Sequence, residues 1–180
     1  MPVLDAGESA AEPGPTPSRA DDRGSRRASN VAMAALARHD ASEGEVRARL
    51  LTKGLEDDEV EAEMSRLRNA GLVDDVAFAE RMVTALRERK GLGDSAVRTA
   101  LRGRLVPPSV VDAVLSERVE DEESLQERLQ AVADDRARRL TSLTYAVAER
   151  RLTAYLLRKG YGGSAVRAAV RAALDGVGVR

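Results

Sequence analysis

The sequence predicts an all-α fold built as a tandem array of three-helix units, about nine helices in all. Three observations carry this expectation. Aromatic residues make up only 2% of the chain and β-branched alternation is scarce, which favours helix over strand nearly everywhere. Helix start and stop signals recur in the same order along the chain. One helical pattern returns after 51 residues and again after 55, longer than the roughly 34 residues of tetratricopeptide units or the 40–47 of HEAT and armadillo units. A three-helix unit with short connections accounts for that period.

Residues 1–29 are rich in Pro, Gly, Ser and mixed charge, with prolines at Pro2, Pro13, Pro15 and Pro17. Such a stretch cannot bury enough apolar surface to offset its ordering, so it is expected to be a disordered tail. Units follow at residues 30–74, 75–121 and 122–180. Their first helices are expected near Asn30–Arg38, Val76–Lys90 and Ser124–Arg139, the last packing through a narrow stripe of Leu125, Leu129 and Val132.

The middle helices align through Val46, Leu50 and Lys53, then Val97, Leu101 and Arg104, then Leu152, Leu156 and Lys159. The hydrophobic residue after the turn is Leu55, Val106 and Tyr161 in turn. The third helices align through Val60 and Met64, Val111 and Leu115, and Val166 and Val170. Apolar residues four apart share one helix face, and each unit's stripe is expected to need a neighbouring unit to cover it.

Punctuation has physical causes. Ser42 with Glu45 forms a capping box, each side chain satisfying a backbone N–H that the first turn leaves free. Gly54, Gly71 and Gly160 close helices in the left-handed conformation, with Leu55 and Leu72 covering the turns they follow. The second unit departs from this, having Leu105 where the other turns have Gly54 and Gly160. Pro107 and Pro108 follow, and the expectation is that proline ends this helix by biasing the residue before it away from helical geometry.

The string Lys53-Gly54, then Gly71-Leu72-Val73-Asp74-Asp75 and Phe78-Ala79, with Arg47 and Leu50 before it, resembles the signature of the RecX family of bacterial recombination regulators. The resemblance runs from about Ala32 to Asp175. It implies a curved array of three-helix repeats lying in the groove of a RecA–DNA filament, in contact with RecA and perhaps with single- or double-stranded DNA. It also implies inhibition of the recombinase, ATPase and co-protease activities of RecA, within DNA repair and the SOS response. Asp94-Ser95 replaces what is often proline and a basic residue in the family.

Chemistry for an enzyme is missing from the sequence. There is no cysteine, hence no thiol nucleophile, disulfide or cysteine zinc site. The single histidine, His39, reads as a cation at a helix C-terminus, and the carboxylate runs Glu56–Glu59 and Glu120–Glu123 read as solvated helix starts. Gly160-Tyr161-Gly162-Gly163 lacks the ending of a phosphate loop. No catalytic residue, metal or cofactor is expected. No apolar run approaches the roughly 20 residues of a membrane span, and a cytoplasmic monomer is expected.

Charge supplies the positive signal. Arg136 to Arg180 hold ten basic residues against Glu149 and Asp175, an excess of eight, while nine net negative charges lie elsewhere in a chain of formal charge −1. Such asymmetry points to a polyanionic partner. The expected contacts are Lys53, Arg89, Lys90, Arg104, Arg150, Arg151, Arg158, Lys159, Arg167 and Arg171. Lys53, Arg104 and Lys159 recur at one repeat position, either as a spaced row or as helix C-terminal cations. The alternatives are a helix-turn-helix DNA-binding transcription regulator, which predicts a preferred duplex sequence, and a plain scaffold for an acidic protein.

Overall fold

The computed structural model describes residues 19–37, 40–117 and 121–179. They form α1 (Arg19–Leu36), α2 (Glu43–Thr52), α3 (Asp57–Asn69), α4 (Asp75–Lys90), α5 (Asp94–Gly103), α6 (Pro108–Glu117), α7 (Glu122–Ala137), α8 (Tyr145–Arg158) and α9 (Gly163–Gly176). No strand occurs among the described residues. Helices contact one another chiefly in consecutive threes, α1 to α3, α4 to α6 and α7 to α9.

The aligned positions are the core positions. Leu50, Leu101 and Leu156 hold equivalent places and are fully buried, each removal from water contributing about 1.5–3 kcal/mol. Around them, however, lie three separate cores. One holds Val46, Leu55, Val60, Met64 and Leu67; the next Phe78, Val83, Val97, Val106 and Val111; the last Leu129, Leu152, Tyr161, Val166 and Leu174. The expectation that one unit's stripe is covered by the next is therefore overturned. Three helices with short connections close around their own apolar stripe, and alanines such as Ala79, Ala133 and Ala148 let them approach closely.

The tail boundary at residue 29 also needs correction. Helix α1 begins at Arg19, and Ala28 and Ala32 are buried in the first core. Ser29 Oγ donates to Glu63 Oε2 at 3.0 Å, and Arg66 binds the same buried carboxylate through Nε at 2.9 Å and Nη2 at 2.6 Å. Composition missed this because the buried face of α1 is built of alanine, which carries little hydrophobic signal. Residues 1–18 lie outside the described residues, as do Arg38, His39 and Glu120.

Leu105 corrects a second expectation. Proline does not end α5; Leu105 itself takes the left-handed conformation, with φ 57° beside 74° for Gly54 and 87° for Gly160. All three turns then share one hydrogen-bond pattern. Leu55, Val106 and Tyr161 donate backward to the carbonyls of Leu50, Leu101 and Leu156, at 3.4, 3.2 and 3.1 Å. At Gly71 the follower Leu72 is 43% exposed, and it is Val73 that enters the core.

A left-handed leucine costs about 1–2 kcal/mol relative to glycine, and the Leu105 side chain is half exposed. Leu105→Gly is expected to raise stability by about 1 kcal/mol, seen as a higher urea midpoint with unchanged slope. A lower midpoint would show that the leucine side chain stabilises the fold by more than its backbone strain costs.

Candidate polyanion interface

Cationic side chains fall into three settings. The first is the repeated turn position. Lys53, Arg104 and Lys159 are the C-cap residues of α2, α5 and α8, where positive charge suits the helix dipole. Lys53 is exposed, and its carbonyl accepts from Arg27 Nη2 at 2.5 Å. Arg104 is engaged within the protein. Its Nε and Nη2 bind Glu45 at 2.5 and 2.8 Å, Nη2 also donates to the Asp40 carbonyl at 2.7 Å, and the guanidinium lies 4.8 Å from the centre of the Phe78 ring. The Glu45 hydrogen bond is the main cause that raises the Arg104 pKa above its ordinary value. With its charge neutralised in this way, Arg104 leaves the set of expected contacts. Lys159 Nζ donates to the Lys90 carbonyl at 2.5 Å and stands 5.5 Å from the Tyr155 ring centre. The turn cations thus do not form a row of free charges: two of the three reach back to the preceding unit.

The second setting is a groove between the second and third units. Its walls come from the end of α4 (Arg87, Arg89, Lys90), from α7 (Arg128, Val132, Asp135) and from α8 (Tyr155, Lys159). Arg89, Lys90 and Lys159 meet here as three of the expected contacts. Arg87, Arg128 and Tyr155 were missed, as was Arg136, whose guanidinium lies 5.1 Å from the Tyr155 ring centre. The charge of α7 lies outside the narrow stripe of Leu125, Leu129 and Val132 through which it is expected to pack. Arg128 and Arg136 fall two turns and more apart on α7, a spacing that could have flagged them.

The third setting is the exposed surface of the third unit. Arg150, Arg151 and Arg158 on α8 and Arg167 and Arg171 on α9 are all exposed. Arg151 and Arg158 share one flank of α8, and Arg167 and Arg171 one flank of α9. Among the described residues none of the five has a hydrogen bond or ion pair. In the first two units Arg47, Arg68, Arg81 and Arg98 are matched to Glu61, Glu43, Asp40 and Asp112.

The Gly71-to-Ala79 string is structural. Asp74 caps α4 by accepting from Ala77 N–H at 2.9 Å. Asp75 is buried and accepts from Glu43 N–H at 2.8 Å, fixing the start of α4 to the start of α2. Phe78 and Ala79 enter the second core. No group of three metal-ligating side chains occurs among the described residues, and none of their helices is long and apolar enough to cross a membrane.

The fold and its exposed arginines define a class: tandem arrays of three-helix repeats that offer a basic surface. A family model described as the third three-helix domain of RecX matches residues 122–170, beginning at the first residue of α7. The regulatory protein RecX of Trichlorobacter lovleyi is 30% identical over 146 residues, covering 76% of this chain and 89% of that one. That of Mycolicibacterium vanbaalenii is 32% identical over 157 residues, covering 81% and 82%. The crystal structure of RecX from Lactobacillus salivarius superposes with a TM-score of 0.73 at 18% identity, over 86% of this chain and 98% of that one. The chain belongs to the RecX family.

Burial, ahead of the nearby negative charge of Glu43, Asp74 and Glu45, pushes the Asp75 carboxyl above its ordinary value, although the Glu43 N–H opposes this. The folded state therefore takes up this proton before the unfolded chain does, so the group favours folding increasingly as pH falls through its folded value. Asp75→Asn keeps the acceptor and removes the charge. It is expected to match or exceed the parent's stability at pH 7, with the difference shrinking toward pH 4, whereas Asp75→Ala loses about 1–3 kcal/mol. Chemical denaturation across that range decides. An Asn variant that gains on the parent as pH falls would contradict the assignment.

Proposed function

We propose that this protein binds the RecA–DNA filament and restrains it, lowering strand exchange, ATP hydrolysis and co-protease activity, and so acts in the control of DNA repair and the SOS response. Family membership supports the partner. The observation that carries the reading to particular residues is the set of five exposed arginines on α8 and α9 that have no hydrogen bond or ion pair among the described residues. A guanidinium with no internal carboxylate is available to acidic side chains or phosphates, and a RecA–DNA filament offers both. The helix-turn-helix regulator finds no such support from family membership.

The test is single-strand-DNA-dependent ATP hydrolysis by RecA of the same organism, titrated with this protein. The parent is expected to inhibit. Reversing Arg151, Arg158, Arg167 and Arg171 to Glu is expected to weaken inhibition at least about a hundredfold, since exchanging attraction for repulsion at four contacts costs several kcal/mol. Helical circular dichroism should stay unchanged, as all four are exposed. Undiminished inhibition by the folded variant would remove this face from the interface. Absence of inhibition by the parent, together with a preferred duplex sequence in gel shifts, would favour a transcription regulator.

A further inference from the structure

The two junctions between units are built alike and charged differently. Counting from the aligned Val46 and Val97, Glu45 corresponds to Ala96 and Asp40 to Gly91. At the first junction Glu45 takes Arg104 through both oxygens, and Asp40 takes Arg81 through two bonds of 3.0 Å. At the second junction Ala96 and Gly91 bring no carboxylate, yet Lys159 stands where Arg104 stood.

Other cations gather round it. Arg89, Lys90 and Arg128, whose Nε already donates to Tyr161 Oη at 3.3 Å, line the same groove, which has a volume of about 460 Å³. Arg136 flanks it across Tyr155, and its buried Nε has no hydrogen-bond partner. Two carboxylates face the groove, Glu88 and Asp135. Asp135 is shared by Arg138 at 3.0 Å and Arg139 at 3.5 Å, while the groove's Arg87 is matched to Asp94 at 2.7 Å. The C-terminal ends of α4 and α8 bring partial negative charge, but the Lys90 carbonyl already accepts from Lys159. Donors and positive charge remain in excess.

We propose that this groove binds the phosphodiester backbone of a nucleic-acid strand, a phosphate taking at the second junction the place that the Glu45 carboxylate holds at the first. Guanidinium forks and ammonium groups on three helices suit a ligand with several negative charges in sequence better than a single carboxylate. Lys159 and Arg136 already lie against the Tyr155 ring, so recognition is through backbone and independent of base sequence. Binding would tie α4 to α7 and α8, fixing the angle between the last two units as Arg104 and Glu45 fix the first two. This site would serve the DNA of a RecA filament, but it does not depend on RecA.

The experiment omits RecA, so its failure is separate from failure of the filament reading. Fluorescence anisotropy of a labelled thymidine oligonucleotide is followed against salt concentration for the parent and two variants. Ala96→Glu restores the missing carboxylate in cis. It is expected to lower affinity at least about tenfold and to reduce the slope of log K against log salt by about one. Its melting temperature should be equal or higher, because Glu suits the first turn of a helix. Lys159→Gln combined with Arg128→Gln should produce a similar loss even if Ala96→Glu does not fold. A mixed-sequence strand should bind as the thymidine strand does. Parent-like affinity in a folded variant would overturn the proposal. So would a parent that binds no oligonucleotide, or one that binds inorganic pyrophosphate more tightly than the strand at matched ionic strength.

Discussion

A carbonyl at the end of one middle helix, met by the N-cap of the middle helix before it, is the contact on which the array depends. The Arg104 carbonyl accepts from Ser42 Oγ at 2.5 Å, and the Lys159 carbonyl from Gly93 N–H at 2.8 Å. The first is a side-chain hydroxyl on a backbone carbonyl and the second a backbone pair, and both bring the backbone of one unit close to that of the next. Side chains have to give way. A Cβ on Gly44 would stand 2.5 Å from the Leu105 carbonyl oxygen, and one on Gly160 would stand 2.3 Å from Ala96 N. At the first junction the missing side chain is on the helix start; at the second both the helix start, at Gly93, and the turn, at Gly160, lack one. The first solution is what leaves space for a leucine in a turn that elsewhere uses glycine.

Because each unit closes its own core, little apolar surface remains to join the units. Polar contacts do that work, and polar contacts can be assigned different charges without disturbing the cores. At the first junction Glu45 neutralises Arg104, Asp40 neutralises Arg81, and Asp75 accepts from Glu43 N–H. At the second, the Lys159 carbonyl accepts from Gly93 N–H and its ammonium donates to the Lys90 carbonyl. The first junction is thus charge-matched, whereas cations gather at the second. A single repeated architecture serves both because the junction chemistry is independent of the packing inside each unit.

Much of this was legible in the sequence. The repeat offsets identified Leu50, Leu101 and Leu156 as equivalent core residues, and they are. The glycine turns and the Ser42–Glu45 box were readable because local backbone chemistry fixes them. What the sequence hid was non-local. That Arg104 answers Glu45 across 59 positions, or that Asp75 accepts from Glu43, depends on how units stack, and no spacing rule encodes it. The helix before residue 30 was hidden for another reason, its buried face being alanine within a polar composition. Tyr155, beside Arg136 and Lys159 at the second junction, depends likewise on how the units stack.

The central claim is that three self-contained cores are held in line by polar clasps, and native-state hydrogen exchange tests it most directly. Slow amides of α2, α5 and α8 are expected to exchange with three distinguishable opening free energies, one for each unit. Disrupting the first clasp with Glu45→Ala should lower protection in the first and second units while leaving the third as it was. A single opening free energy shared by all three middle helices, lowered uniformly by that substitution, would show one continuous core and contradict the account.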